Sequence, residues 1–330
     1  MIKDSLKEEQ QIDLSVIIVN WNTKALLVAC LDSLSAQKST YKIEVIVVDN
    51  ASNDGSAEIV NEKYPHVILI RNATNLGFGK ANNIGMKQNR GQYICLLNSD
   101  VRVLPDCFER LVNFMEQNKS IGISSPLTLS PNMRMQDTCR KLPTLWNNIC
   151  DLLYLNKLLP KSDLLSGEHM KFFDHRSIRK VEGLAGCCLM IRKAALDQVG
   201  LFDEQFFIYF EETDLCKRFG QAGWDIVFYP DASIVHHHGA SSAKDPLRFS
   251  GEQIKSQVKY WKKHHSKIAV TTFLFILLIQ HGVRLILRSI FYIFTKQERR
   301  MEIARQLSKH YACLKLILSG KYDDQGQSLG

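Results

Sequence analysis

Three carboxylates fall within four residues at Glu211, Glu212 and Asp214, directly behind the aromatic run Phe206-Phe207-Ile208-Tyr209-Phe210. Carboxylates this close repel one another, and apolar neighbours strip their hydration. At least one is therefore expected to keep its proton to higher pH and to suit the work of a general base. The same spacing also fits the acidic first turn of a helix, where the positive end of the helix dipole favours negative charge. Asn98-Ser99-Asp100 offers a second kind of chemistry, because it ends the apolar run Tyr93 to Leu97. One carboxylate there can hold a divalent cation while a diphosphate and water supply the remaining oxygens, as Mg2+ and Mn2+ prefer. An Asp in that place can equally cap a turn. His236-His237-His238 follows the strand pattern Ile226 to Tyr229 and an expected turn at Pro230-Asp231-Ala232. Imidazole beside a metal diphosphate can ligate the cation or neutralise a phosphate oxygen. Successive side chains on extended backbone diverge, so the three histidines cannot all face one site.

The elements that must position these groups alternate. Leu14 to Val19 is a β-branched apolar run ending in Asn20-Trp21-Asn22-Thr23, and a helical pattern follows from Ala25 to Leu34. Glu44 to Val48 repeats the strand and ends in Asp49-Asn50-Ala51-Ser52-Asn53-Asp54-Gly55, with a helix expected from about Ser56. Val67 to Arg71 is a third strand, Lys80 to Gln88 a helix, and Tyr93 to Leu97 a fourth strand. Strands alternating with helices predict βαβ units and a mostly parallel sheet, with ligands outside the carboxyl ends of the strands. There is no G-x-G-x-x-G after the first strand and no G-x-x-x-x-G-K-[ST] anywhere, which argues against a dinucleotide dehydrogenase or a P-loop enzyme. The loop Asn20-Trp21-Asn22-Thr23 also lacks the Gly-rich basic character of a nucleotidylyltransferase phosphate loop. Residues Asn147 to Lys180 are irregular in pattern, and Gly183 to Gly186 form a small-residue turn entering the buried strand Cys187 to Ile191.

With 330 residues, 45% hydrophobic and 23% charged, the chain can bury a large core. The net charge of +8 is concentrated towards the C-terminus, which points to an anionic partner. No nucleic-acid-binding signature accompanies it, so no nucleic acid is expected and an anionic membrane surface fits better. Nine scattered cysteines without a C-x-x-C pair read as reduced thiols in a cytosolic setting, and the polar N-terminus carries no apolar targeting segment. From Ile268 to Ile279 the chain is wholly apolar, but Gln280, His281, Arg284 and Arg288 interrupt its continuation short of the roughly 20 residues of a comfortable span. An interfacial or re-entrant helix pair flanked by basic residues is expected, with a buried C-terminal helix as the alternative.

Together these motifs resemble the inverting GT-A glycosyltransferases of family 2, especially the bacterial rhamnosyltransferase-like branch, from Leu14 to Ser242. Val16-Ile17-Ile18-Val19-Asn20-Trp21-Asn22 looks like the opening motif and Val47-Val48-Asp49-Asn50-Ala51-Ser52-Asn53-Asp54-Gly55-Ser56 like the second. Asn75-Leu76-Gly77-Phe78-Gly79-Lys80-Ala81-Asn82-Asn83 is similar to a loop of this branch. Leu96 to Asp100 stands where the family has D-x-D, and Glu211-Glu212-Thr213-Asp214 where it has E-D-x-D. His236-His237-His238-Gly239-Ala240-Ser241-Ser242 resembles the closing H-x-x-G-x-S.

The resemblance implies an α/β GT-A fold, with a Rossmann-like, mostly parallel sheet between helices and a hydrophobic helical C-terminal segment. Residues 1–265 would form the glycosyltransferase domain, 1–105 its nucleotide-sugar half and 106–265 its acceptor and catalytic half. Residues 266–330 would associate with a membrane. Asn20, Asn22, Asp49, Asn75, Gly77, Lys80, Asn83 and Asn98 would bind the donor, with Asp49 accepting from the base. Asp100 and His236 would hold Mg2+ or Mn2+, Glu212 would be the base, Glu211 and Asp214 would orient the acceptor or hold the loop, and Gly183, Ala185 and Gly186 would lie beside the acceptor. Two departures stand out: Asn98 replaces the first D-x-D carboxylate, and Glu212 replaces the usual Asp. The implied partners are a dTDP- or UDP-sugar, possible L-rhamnose transfer from dTDP-rhamnose included, and a saccharide or lipid-linked acceptor of cell-envelope polysaccharide assembly. The implied place is the cytoplasmic face of the inner membrane, peripheral or monotopic. The competing class is a non-catalytic, membrane-associated nucleotide-sugar or carbohydrate-binding protein of the same fold.

Overall fold

The computed structural model describes residues 11–237 and 245–323. The first half runs β1 (Leu14–Asn20), α1 (Lys24–Ser35), β2 (Ile43–Asp49), α2 (Ser56–Lys63), β3 (Ile68–Arg71), α3 (Phe78–Met86) and β4 (Tyr93–Asn98). It continues through β5 (Val101–Val103), α4 (Cys107–Gln117), β6 (Ile121–Leu129), β7 (Cys139–Arg140), α5 (Leu145–Leu152) and α6 (Leu155–Leu158). Then follow β8 (Arg179–Lys180), β9 (Gly183–Leu184), β10 (Cys188–Arg192), α7 (Lys193–Val199), α8 (Glu211–Gln221) and β11 (Asp225–His236). The last three elements are α9 (Pro246–His264), α10 (Lys267–Phe294) and α11 (Gln297–Ser319).

The main sheet has the order β3-β2-β1-β4-β10-β6-β11-β5, with β8 beside β11. The expected parallel βαβ half is present: β3, β2, β1 and β4 are parallel, whereas β10 enters antiparallel between β4 and β6. Alternation along each strand supplies two faces. Val16, Ile18 and Val47 join the core under α1, α2 and α4, while Ile17, Ile46 and Val48 join the one that also holds Ala81 of α3 and Leu215 and Phe219 of α8. Burial on both faces explains why these strands read as continuous apolar runs. Gly85 lets α3 approach β1 closely, since a Cβ there would lie 2.5 Å from Ile17 Cγ2.

Several boundaries differ from expectation. Helix α3 begins at Phe78, ahead of Lys80, because Gly77 adopts φ +84 and ends the loop before it. The expected turn at Pro230-Asp231-Ala232 is instead an irregularity inside the 12-residue strand β11, whose register on β6 shifts between Tyr229 and Ser233. Proline has no N–H for a ladder bond, so a bulge accommodates it. The irregular stretch after Asn147 contains α5 and α6. All nine cysteines are free and buried.

The largest correction concerns the C-terminal segment. Gln280, His281 and Gly282 do not break the helix, and α10 runs unbroken for 28 residues. Phe273, Ile276, Leu277, Gln280 and His281 recur at helical spacing and are the residues that α10 buries. Gln280 donates to Asp151 at 2.5 Å, Arg284 meets the same carboxylate at 2.8 Å, and His281 faces His310 at 3.0 Å. The polar residues thus mark the side turned to protein, while Phe275, Ile286, Ile290 and Phe291 are exposed. By length and composition α10 is the one helix among the described residues that meets the requirements for crossing a membrane. Trp261 of α9 stacks on Phe273 with centroids 4.6 Å apart, and α10 and α11 share a core with α9 through Leu277, Cys313 and Leu316.

Candidate active site

The carboxyl ends of β1, β2 and β4 are tied together by a chain of side-chain hydrogen bonds. Asn20 Nδ2 donates to Asp49 Oδ1 at 3.1 Å and to Ser52 Oγ at 3.0 Å, and the Ser52 N–H donates to Asp49 Oδ2 at 2.9 Å. Thr23 Oγ1 donates to Asn20 Oδ1 at 2.7 Å and lies 2.8 Å from Ser99 Oγ, which must then be the donor to it. Asn22 accepts from the Asn53 N–H at 2.8 Å and its own N–H donates to Ser52. Asn20, Asn22 and Asp49 therefore converge with the Asn98-Ser99-Asp100 turn. Thr23, Ser52 and Ser99 complete the network, and nothing but their place at strand ends marked them in the sequence.

Asn75, Gly77, Lys80 and Asn83 have a different setting. Asn75 accepts from Asn50 Nδ2 at 2.8 Å, and Gly77 sits so close to Phe207 that a Cβ would lie 2.3 Å from its carbonyl oxygen. Asn83 is buried, donating to the Phe202 carbonyl at 2.9 Å and accepting from the Phe202 N–H at 3.0 Å. Lys80 is paired with Glu204 at 3.9 Å. The contacts of Gly77, Lys80 and Asn83 hold the 202–207 segment that leads into the carboxylate cluster, and Asn75 fixes the loop before Gly77.

Strand β5 is antiparallel to β11, with His236 opposite Val101, and this places His236 Nε2 3.3 Å from Asp100 Oδ1. Gln136, which the sequence reading missed, fixes the imidazole. Its Nε2 donates to the His236 carbonyl at 2.9 Å and its Oε1 lies 3.1 Å from Nδ1, so it can accept a proton carried on Nδ1, the tautomer in which Nε2 can ligate a cation. A ligating histidine held through its other nitrogen is the usual outer-shell arrangement of a metal site. Among the described residues no cluster of three or more ligating side chains exists. The donor set of one carboxylate and one imidazole, beside the buried and unpartnered Asn98 Oδ1, fits a cation that takes most of its oxygens from a diphosphate and water. The remainder of the histidine motif, from His238 to Ser242, lies outside the described residues.

The carboxylate cluster opens α8, so the expected acidic first turn is also present. Tyr209 and Phe210 precede it with φ of +68 and +69, backbone that aromatic residues rarely adopt and that swings the first turn of α8 inward. Glu211 is 4% exposed, its Oε2 has no hydrogen-bond partner among the described residues, and it abuts Gly79 of α3. Burial, followed by the charge of Glu212, pushes its carboxyl well above the usual carboxylate range. Burial also raises Glu212, with the Arg140 guanidinium acting in the opposite direction. Glu212 is deep in the fold yet keeps accessible surface because it lines a partly open cavity of about 420 Å3. Gly186 packs over it, with a virtual Cβ 3.6 Å from Glu212 Cβ, Gly183 pairs with Arg140 across β7 and β9, and the Ala185 N–H is held by the Thr138 carbonyl at 2.9 Å. Gly186 thus lies against Glu212, while Gly183 and Ala185 are held by Arg140 and Thr138 beside it. Asp214 is fully buried in a latch: Arg218 at 2.8 Å, Lys263 at 2.8 Å and His264 at 2.7 Å all meet its carboxylate. Arg140 is a further residue the sequence reading passed over, since a lone Arg carries no signal of its own.

Residues 15–200, more than half of the chain, match the family model described as glycosyl transferase family 2. The chain belongs to that family. Among curated relatives of this glycosyltransferase is the N-acetylglucosaminyl-diphospho-decaprenol L-rhamnosyltransferase of Mycobacterium tuberculosis, 29% identical over 264 residues, covering 77% of this chain and 85% of the relative. Among solved structures, the mannosyltransferase of Pyrobaculum calidifontis in complex with GDP-Man and Mn2+ superposes with a TM-score of 0.57 at 14% identity, covering 95% and 89% of the two chains. GalNAc-T7 with UDP, GalNAc and Mn2+ gives 0.54 at 20% identity, covering 69% of this chain and 44% of the other. The mostly parallel half-sheet and these neighbours make the fold of this glycosyltransferase GT-A.

Proposed function

We propose that this glycosyltransferase moves a sugar, with L-rhamnose from dTDP-rhamnose as the leading donor, onto a hydroxyl of a lipid-linked saccharide with inversion at the anomeric carbon. The observation that carries it is Glu212: a carboxylate with a raised pKa, on a cavity wall, beside the small residues 183–186. In this reading Glu212 takes the proton of the acceptor hydroxyl. The hydroxyl oxygen then bonds to the anomeric carbon, the bond from that carbon to the diphosphate oxygen breaks, and the nucleoside diphosphate departs. Such a base contributes roughly 10²- to 10⁴-fold. Asp49, held by Asn20 and Ser52, would accept from the donor base, and Asn22 would line the same pocket. Asp100 and His236 Nε2 would hold Mg2+ or Mn2+, with Asn98 beside them. When bound, that cation stabilises the charge developing on the departing diphosphate. Gly77, Lys80 and Asn83 would serve the donor by fixing the 202–207 segment, Asn75 by fixing the loop before Gly77, and Asp214 would hold α8 against α9.

The relative that acts on a diphospho-decaprenol substrate and the apolar outer face of α10 support a lipid-linked acceptor met at the cytoplasmic face of the plasma membrane. The test is release of nucleoside diphosphate from a panel of nucleotide sugars, with and without Mn2+ and a prenyl-diphosphate-linked N-acetylglucosamine. Acceptor-dependent release from one donor, lost with a chelator, is expected. Absence of release from every donor in the presence of metal and acceptor would refute the proposal.

A further inference from the structure

The cavity that Glu212 lines does not end in the transferase half. Its walls include Arg140 and Lys141 beside β7, Asn148 and Asp151 of α5, and Gln253 and Gln257 of α9. Helix α10 adds Gln280, His281 and Arg284, and α11 adds Lys309 and His310. At about 420 Å3 it falls within the roughly 300–1,000 Å3 of small-molecule sites, and it is lined by polar groups far more than such sites usually are. Four cations and three carboxylates line it, and Lys141 is also paired with Asp163, which lies outside the lining, at 2.5 Å. Of the lining carboxylates, Asp151 is engaged by Arg284, and burial pushes Glu168 up to about 7, so its negative charge is partly lost near neutral pH. Lys309 is exposed and forms no ion pair among the described residues. Helix α10 borders this cavity with one face and presents Phe275, Ile286 and Ile290 outward with the other.

We propose that this cavity is the acceptor site and that Lys309, Arg284 and Lys141 receive the diphosphate of an acceptor whose sugar reaches Glu212 and whose lipid lies along the outer face of α10. This rests on the transferase reading for the role of Glu212, but the binding it describes can be measured without turnover. Equilibrium binding would be compared in detergent micelles, with no nucleotide sugar present, for two probes. One is a prenyl-diphospho-N-acetylglucosamine and the other an alkyl N-acetylglucosaminide lacking the diphosphate. The intact chain is expected to prefer the first, and Lys309→Glu and Lys141→Glu each to reduce that preference by about tenfold, the loss of one charge-assisted hydrogen bond. Arg299→Glu, an exposed change on α11 outside the cavity lining, is expected to leave it unchanged. Equal binding of the two probes, or a preference that survives both cavity variants, would overturn the site. Preferential binding without turnover from any nucleotide sugar would support this site and count against the transferase reading, so the two failures are separable.

Discussion

Glu211 and Glu212 stand side by side in sequence and do different things in space. Consecutive residues of a helix point about 100° apart, so the conformation of the entering chain decides which of the two faces the cavity. Here Tyr209 and Phe210 make that decision through left-handed backbone. The cluster was therefore legible from residue types, while its division of labour was not. Glu212→Gln is expected to lower transfer by roughly 10²- to 10⁴-fold with donor affinity retained, checked by steady-state rates and donor titration. Because the base must be ionised, the rate should fall as pH drops through a pKa lying above the ordinary 4.5. Glu211 has the opposite consequence for stability. Its raised folded-state pKa favours the folded protein below 4.5, and that contribution is lost as pH rises through the folded value. Glu211→Gln should accordingly leave Tm unchanged in acid and raise it at pH 8, read by thermal melts across pH. Gln136 belongs to the same scale. Gln136→Ala frees the His236 ring, and Mn2+ affinity should weaken by about 10- to 100-fold in a direct metal titration.

At the scale of elements, the alternation of apolar runs and helical patterns made β1 through β4 readable, and β1, β2 and β4 most of all, because strands buried on both faces leave a continuous apolar run. What was not readable is how α9 grips the segment that carries the carboxylates. Ser256 donates to the Ile208 carbonyl at 2.8 Å, Lys259 to the Gln205 carbonyl at 2.9 Å, and Lys263 bridges Asp203 and Asp214. These contacts join residues some fifty positions apart, and no local pattern announces them. The family resemblance left Asp214 either orienting the acceptor or holding the loop, and its contacts with Arg218, Lys263 and His264 support the second role, an anchor between α8 and α9. Asp214→Ala leaves Arg218, Lys263 and His264 without their shared carboxylate. It should destabilise the protein by about 3 kcal/mol in urea unfolding, the low end for breaking a buried pair because Lys263 keeps some access to water. The turn expected in β11 failed for a related reason. A bulge lets the strand absorb Pro230 and continue to His236, which is how the imidazole reaches Asp100.

The whole molecule joins a GT-A transferase to a helical pair in which α10 turns an apolar face outward and, on its inner side, sets Gln280, His281 and Arg284 beside the apolar contacts of Phe273 and Leu277. The order of residues along α10 concealed this, because Gln280, His281 and Arg284 look like interruptions of a membrane segment until Asp151 and His310 are seen opposite them. If the outer face meets lipid, the full chain should float with vesicles containing anionic lipid. Binding should weaken as salt screens the basic residues of α10 and α11. Replacing Phe275 and Ile286 with Ser should reduce flotation while leaving donor hydrolysis intact. In the proposed reading, donor chemistry and acceptor capture meet at one group, the Glu212 carboxylate. The most direct test is the NMR anomeric configuration of the product formed from the active nucleotide sugar, measured for the wild-type chain and for Glu212→Gln. The account predicts a product of configuration opposite to the donor from the wild type and no product above background from a variant that still binds donor. A product of retained configuration, or undiminished transfer by Glu212→Gln, would contradict it.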